Sequence, residues 1–273
     1  MVNAEQKPTF PGSKKSFRQS RYGCRAIVTG ASDGIGREFA RSLAAEGLDL
    51  VLVARRRDRL ESLAAELAKA HGISTSIISA DLGTDEGVAE VIAETEGQDI
   101  GLLIAAAGFG SSGSFVDLSV DDEANMVDVN CRSMVRLTHH VANGFKTRGS
   151  GGIILMSSLL GFQGVSYSST YAATKAFVQS FAEGLHGELK PFNIDVLAVA
   201  PGPVSTGFAA RASMKFSLAA KPNSVAKSAL AALGRETTCV PGWISKVLNW
   251  SLLPLPRWGK TIILTKVMRQ MAG

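Results

Sequence analysis

Six short apolar runs punctuate the chain: RAIVT (25–29), LDLVLVA (48–54), STSIISA (74–80), DIGLLIAAA (99–107), GGIILMSS (151–158) and IDVLAVA (194–200). They are continuous rather than alternating, which marks strands buried on both faces, as in a parallel sheet. Stretches of helical period separate them, at 36–47, 57–71 and 84–96. In 57–71, Leu60, Leu63, Ala64 and Leu67 share one side of a helix, and Arg59, Glu61, Glu66 and Lys69 the other. Strand–helix alternation of this kind predicts an α/β fold, a doubly wound parallel sheet with helices on both faces and ligands at the carboxyl ends of its strands. No internal repeat and no Pro/Gly linker divides the chain. One domain over 24–241 is expected, between a flexible basic N-terminal arm (1–23) and an amphipathic C-terminal extension (242–273).

Composition narrows the partners. With 273 residues, 45% apolar and 19% charged, the chain can bury a substantial core. A net charge of +5 suits phosphates, acidic membranes or nucleic acid. No Lys/Arg block with interleaved aromatics occurs, which argues against nucleic acid. Cys24, Cys131 and Cys239 are odd in number and far apart, so free thiols in a reducing compartment and no structural zinc are expected. Residues 1–23 lack the apolar core of a secretory signal; a loose arm is the first reading and an organelle transit peptide the second. No run reaches the roughly 18–20 apolar residues of a membrane span. A cytoplasmic protein is expected, with membrane association through the tail left open.

Directly after the first strand stands TGASDGIG, with Gly30, Gly34 and Gly36. Glycines here permit a tight turn, close backbone approach to a pyrophosphate and free N–H groups at a helix start; the alternative is a plain strand–helix turn. Placement between a strand and a helix favours dinucleotide binding. The second strand ends VLVARRRD. Where NAD-binding folds put a carboxylate for the ribose 2′-hydroxyl, Ala54 and Arg55 stand, followed by Arg56 and Arg57. Guanidinium forks suit a 2′-phosphate, so NADP(H) is expected over NAD(H).

Further on, STYAATKAF places Tyr171 and Lys175 one helical turn apart, on one face. A free tyrosine, with a pKa of about 10, is a poor base near neutrality. A neighbouring ammonium, joined by an oxidised nicotinamide, would stabilise its phenolate. Ser157 and Ser158 end a strand, where a site belongs in this architecture, and a serine hydroxyl can donate to a carbonyl oxygen that gains charge. No G-x-S-x-G elbow supports a serine hydrolase. His139 and His140 are adjacent and have no third ligand at metal spacing, so no metal site is expected.

Taken in order, TGASDGIG, the DL pair at 81–82, AAAG at 105–108, VN at 129–130, SS at 157–158, YAATK at 171–175 and PGPVST at 201–206 resemble the short-chain dehydrogenase/reductase family over about residues 24–240. The resemblance leans to bacterial, NADP-preferring members related to hydroxysteroid and ketoacyl reductases, and implies a Rossmann-type sheet. It implies Tyr171 as acid/base, Lys175 as its partner and holder of the nicotinamide ribose, and Ser158 as donor to the substrate oxygen. Asn130 would hold a water linking Lys175 to solvent. Asp81 would contact the adenine amino group and Thr206 the nicotinamide carboxamide. Ser32, Asp33, Ile35 and Leu82 would adjoin the cofactor, as would Ala107, Gly108, Pro201, Gly202 and Val204. Family members often form dimers or tetramers, which implies a homo-oligomer.

Two departures matter. The family commonly shows NNAG where this chain has Ala105, Ala106, Ala107 and Gly108, which removes asparagines that brace the central strand. Many NADP-using members carry a base just before the second loop glycine, where this chain has Asp33. The runner-up is a non-catalytic dinucleotide-sensing or scaffold protein on the same fold; the complete Ser158/Tyr171/Lys175/Asn130 set opposes it. Residues 205–222, with Phe208, Met214, Phe216 and Leu218, would cover an apolar substrate or form an ordinary surface loop. Phe109, Phe115, Phe162 and Tyr167 would supply other walls, and a hydrophobic ketone or alcohol is expected. The tail reads as two short helices broken at Pro254 and Pro256. Its Trp243, Trp250 and Trp258, set among leucines and bases, suit a membrane surface, a flap over the pocket or a subunit contact.

Overall fold

The computed structural model describes residues 16–207, 219–252 and 254–272. All six apolar runs are strands: β1 (Arg25–Thr29), β2 (Asp49–Val53), β3 (Thr75–Ile78), β4 (Leu102–Ala105), β5 (Gly151–Met156) and β6 (Ile194–Val199). A seventh, β7 (Thr238–Cys239), is two residues long and therefore carries no readable period. The helices are α1 (Phe17–Tyr22), α2 (Gly34–Ala45), α3 (Arg57–His71), α4 (Asp85–Thr95), α5 (Val120–Val127), α6 (Ser133–Arg148), α7 (Ser169–Leu189), α8 (Pro222–Ala232), α9 (Trp243–Leu252) and α10 (Arg257–Ala272).

All strands are parallel, in the order β3-β2-β1-β4-β5-β6-β7. The chain builds outward from β1 to β3, then returns to lay β4 on the other side of β1. At that reversal the loops after β1 and β4 diverge and leave a crevice at the carboxyl ends. Alternate residues divide the core. Val28, Leu52, Ile104, Ile154 and Leu197 pack under α2, α3 and α8. Ile27, Val51, Leu103, Ile153 and Val196 pack under α4, α6 and α7. Burial on both faces is why these runs lack alternation. In α3 the buried residues are Leu60, Leu63, Ala64 and Leu67, as its period requires.

One expectation is corrected. The segment expected to be a loose N-terminal arm folds from Ser16 onward. Ser16 and Gln19 form a reciprocal capping box that starts α1. Tyr22 is buried, its hydroxyl donating to Asp195 Oδ2 at 2.7 Å, and Arg21 Nε donates to the same oxygen at 2.8 Å. The domain therefore begins before residue 24, because β6 supplies a carboxylate that no local reading could connect to it. The tail forms two helices interrupted near Pro254 and Pro256, as expected. Among the described residues no helix is long and apolar enough to cross a membrane. Phe208, Met214, Phe216 and Leu218 lie outside the described residues.

Candidate active site

The crevice at the strand ends is a cleft of about 680 Å³. Its floor begins where β1 turns into α2. Gly30 has a φ of 68°, and a Cβ there would sit 2.8 Å from the Ala106 carbonyl oxygen. A Cβ on Gly36 would meet the Gly30 carbonyl oxygen at 2.4 Å. Only bare backbone fits this turn, so the cradle offers main-chain N–H groups at a helix start rather than side chains. Asp33 caps α2, its Oδ1 accepting from the Gly34 N–H at 2.7 Å.

Three arginines ring the rim beside this loop. Arg56 stands at the start of α3, donates to Ser32 Oγ at 3.1 Å and pairs with Asp33 at 3.4 Å. Arg59 reaches the same Asp33 oxygen at 3.4 Å, and Arg55 pairs with Asp81 at 3.5 Å. The Asp33 carboxylate, an obstacle to a phosphate in the sequence, is thus faced by two guanidiniums. These pairs are half-exposed and long, hence weak, and the guanidiniums can turn to another anion. Arg59 was not foreseen here; its place three residues after Arg56, on the same helical face, was the available signal.

The opposite end holds the titratable groups. Ser158 ends the extended run after β5, and its Oγ accepts from the Leu160 N–H at 3.2 Å. Tyr171 and Lys175, one turn apart on α7, are both buried. Ser157 Oγ donates to the Lys175 carbonyl at 2.9 Å, and a Cβ on Gly161 would lie 2.7 Å from the same peptide carbon. The first turns of α7 are therefore pressed against the strand end. Lys175 Nζ donates to the Met156 carbonyl at 2.8 Å and lies 5.7 Å from the Tyr171 ring centroid.

Burial pushes the Tyr171 phenol up to about 12, opposed by a hydrogen bond from Ser158. It pushes Lys175 down to about 8. Among the protein's own groups, burial is thus the larger influence on the phenol.

Asn130 stands behind the cleft. It lies in a π-helical turn (Asp128–Arg132) between α5 and α6, fully buried, and is not among the cleft-lining residues. Its Nδ2 donates to the Phe109 carbonyl at 2.9 Å and to Thr174 Oγ1 at 3.0 Å, while its Oδ1 accepts from the Phe109 N–H at 3.1 Å. The side chain clamps the loop after β4 to α7. Thr29 Oγ1 adds a second brace by accepting from the Ala107 N–H at 3.0 Å. Together these supply stiffness that AAAG lacked on paper. Gly108 makes room for the clamp: a Cβ there would lie 2.8 Å from Asn130 Oδ1 and 3.5 Å from Lys175 Nζ.

Every other expected cofactor-site residue lines this one cleft, including Gly34, Ile35, Leu82, Ala107, Pro201, Val204 and Thr206; of the expected substrate walls Phe109 lines it, whereas Phe115, Phe162 and Tyr167 do not. The tail completes it: Leu248 and Ser251 of α9 and Ile263 and Leu264 of α10 form one wall. Ser245 Oγ accepts from the Gly202 N–H at 3.2 Å, and Thr261 donates to the Gly164 carbonyl at 3.2 Å. Among the described residues no cluster of His, Cys, Asp and Glu could hold a metal. One end of the cleft thus fits a phosphorylated dinucleotide, the other a small acid–base reaction in an apolar chamber.

The model of the short chain dehydrogenase family matches residues 25–215. A very-long-chain 3-oxoacyl-CoA reductase of Anas platyrhynchos is 32% identical over 241 residues, covering 84% of this chain and 77% of that protein. A 7beta-hydroxysteroid dehydrogenase of Collinsella aerofaciens is 28% identical over 243 residues, covering 85% and 92%. The solved structure of a short-chain dehydrogenase from Sphingobium yanoikuyae in complex with NADPH superposes with a TM-score of 0.78 at 34% identity, covering 86% of this chain and 94% of that one. On these matches the chain belongs to the short-chain dehydrogenase family.

Proposed function

We propose that the chain is an NADP(H)-dependent oxidoreductase that interconverts a secondary alcohol and a ketone on a hydrophobic substrate, with Tyr171 as general acid/base. The observation that carries this reading is the convergence of Ser158, Tyr171 and Lys175 at one end of a cleft whose other end is a bare glycine cradle. NADPH, when bound, supplies the hydride. Carbonyl reduction builds negative charge on oxygen, which calls for preorganised donors and then a proton. Ser158 and Tyr171 are the donors for such an oxygen once the hydrogen bond between them gives way to it, and Tyr171 gives up the proton. Lys175, fixed to the Met156 carbonyl, orients Tyr171 and keeps a positive charge beside it near neutral pH.

The choice of NADP(H) rests on Arg55, Arg56 and Arg59 around the loop, with Ser32 beside them. The hydrophobic substrate rests on the cleft walls: Phe109, Val129, Leu160, Leu248, Ile263 and Leu264. Two relatives named for long acyl and steroid substrates point the same way. A cytoplasmic location and a homo-oligomer belong to the same proposal; the exposed Phe177, stacked on Phe181 of α7, supports the oligomer. The test is a thermal-shift comparison of NADPH with NADH, followed by NADPH oxidation against a panel of apolar ketones. Stabilisation by NADPH and turnover of at least one ketone are expected. Equal stabilisation by both cofactors would remove the NADP preference, and binding without turnover of any panel member would favour a sensing role.

A further inference from the structure

All three tryptophans of the chain lie in its last two helices, and all three are exposed: Trp243 at 74%, Trp250 at 75% and Trp258 at 70%. Trp243, Val247 and Trp250 fall at i, i+4 and i+7 of α9, one outward stripe; Val247 is 55% exposed. On α10, Trp258 and the 63% exposed Ile262 repeat the pattern at i and i+4. A helix at a water surface places polar residues on such a face. Here the inward faces are already occupied. Ser245 is buried against Gly202, Leu248 and Ser251 line the cleft, and Thr265 donates to Ser166 Oγ at 2.9 Å. The aromatic stripes therefore face away from the protein.

Charge states what they face. Residues 237–273 contain no Asp or Glu, whereas Lys246, Arg257, Lys260, Lys266 and Arg269 are interspersed among the apolar positions. Tryptophan prefers the boundary between headgroups and hydrocarbon, and bases are drawn to anionic headgroups. At 10 and 16 residues, α9 and α10 are too short to span a bilayer but long enough to lie along it. The rim extends to the loop before α5: the Gly113 N–H donates to the Tyr167 carbonyl at 2.9 Å, and the Arg269 guanidinium lies 5.8 Å over the Tyr167 ring. The exposed Phe115 and Val116 follow directly.

We propose that α9 and α10 dock the protein peripherally on an anionic lipid surface, with the wall of the cleft formed by Leu248 and Ile263 next to the bilayer. An apolar substrate dissolved in the lipid then reaches the cleft without crossing water; that consequence rests on the reductase reading, whereas the docking does not.

The test is flotation of the full chain with vesicles of phosphatidylcholine alone or with added phosphatidylglycerol, read together with tryptophan emission. Because every tryptophan is in the tail, emission reports this face and nothing else. Flotation with the anionic vesicles and a shift of emission to shorter wavelength are expected. Replacing Lys246, Arg257 and Lys260 by Glu should weaken partitioning at least about tenfold. Trp243→Ser with Trp250→Ser should also abolish flotation, with an unchanged melting temperature showing that the fold survives. A protein that stays soluble with both vesicle types overturns the proposal. So does an emission shift that grows with protein concentration in the absence of lipid, which assigns the face to a second copy of the chain. Neither result depends on turnover, so failure here is separable from failure of the oxidoreductase reading.

Discussion

The Lys175 ammonium donates a 2.8 Å hydrogen bond to the carbonyl oxygen of Met156, the last residue of β5. That bond joins the helix bearing Tyr171 to the strand leading to Ser158, and it holds a cation at a fully buried position. Lys175→Met should lower kcat by about 10²-fold or more while leaving stability equal or higher, because the variant removes a buried charge. The lysine's folded pKa lies below its ordinary value, near 8 against 10.5. Between those two values the unfolded chain binds more protons than the folded one, so wild-type stability gains with rising pH across that window. The gain should be missing in Lys175→Met. Urea unfolding of both proteins at a series of pH values from 8 toward 10 measures it.

Tyr171→Phe removes one oxygen from the cleft and little else. Turnover should fall by about 10² to 10⁴-fold, the usual contribution of a positioned acid. The thermal stabilisation conferred by NADPH should be retained. Unchanged turnover would refute the assigned role.

Arg56 touches both Ser32 and Asp33. Its removal takes away a charge-assisted donor, worth about 1.5–3 kcal/mol, and also frees the Asp33 carboxylate to repel a phosphate. Arg56→Ala should therefore raise the KM for NADPH by roughly tenfold or more. The KM for NADH should change little. Steady-state kinetics with both cofactors decide; equal effects on the two would mean that Arg56 serves the fold rather than the 2′-phosphate.

Asn130 offers a test of the clamp. Asn130→Ala removes three buried hydrogen bonds, to the N–H and C=O of Phe109 and to Thr174 Oγ1, each contributing about 0.5–1.5 kcal/mol, and leaves a small void among them. A loss of about 2–5 kcal/mol in the unfolding free energy is expected. Denaturant titration measures it, and a loss under about 0.5 kcal/mol would show that the clamp contributes little.

Tyr22 tests where the domain begins. Its ring is buried and its hydroxyl is bonded to Asp195. Tyr22→Phe should cost about 1 kcal/mol and Tyr22→Ala about 3–5 kcal/mol. A neutral Tyr22→Ala would restore the loose-arm reading of residues 16–23.

The sequence by itself determined the parallel sheet, the glycine turn and the Tyr171–Lys175 face. Each is written in spacings of a few residues: unbroken apolar runs for two-sided burial, glycines where a Cβ would strike Ala106 or Gly30, and one helical turn between phenol and amine. Strand β7 escaped because two residues carry no period. What only the tertiary structure decided is what long connections bring together. Asp33 reads as a repulsive charge until α3 swings Arg56 and Arg59 onto it. Asn130 meets the Phe109 backbone and Thr174 only when the loop after β4 and α7 close around it. The rise of the Tyr171 phenol is set by burial, which depends on everything that covers a group, not on its neighbour in the sequence. The tail's aromatic pattern was equally legible as flap, contact or membrane face. Only the docking of Ser245, Leu248 and Thr265 showed which side faces the cleft and left the tryptophans outside.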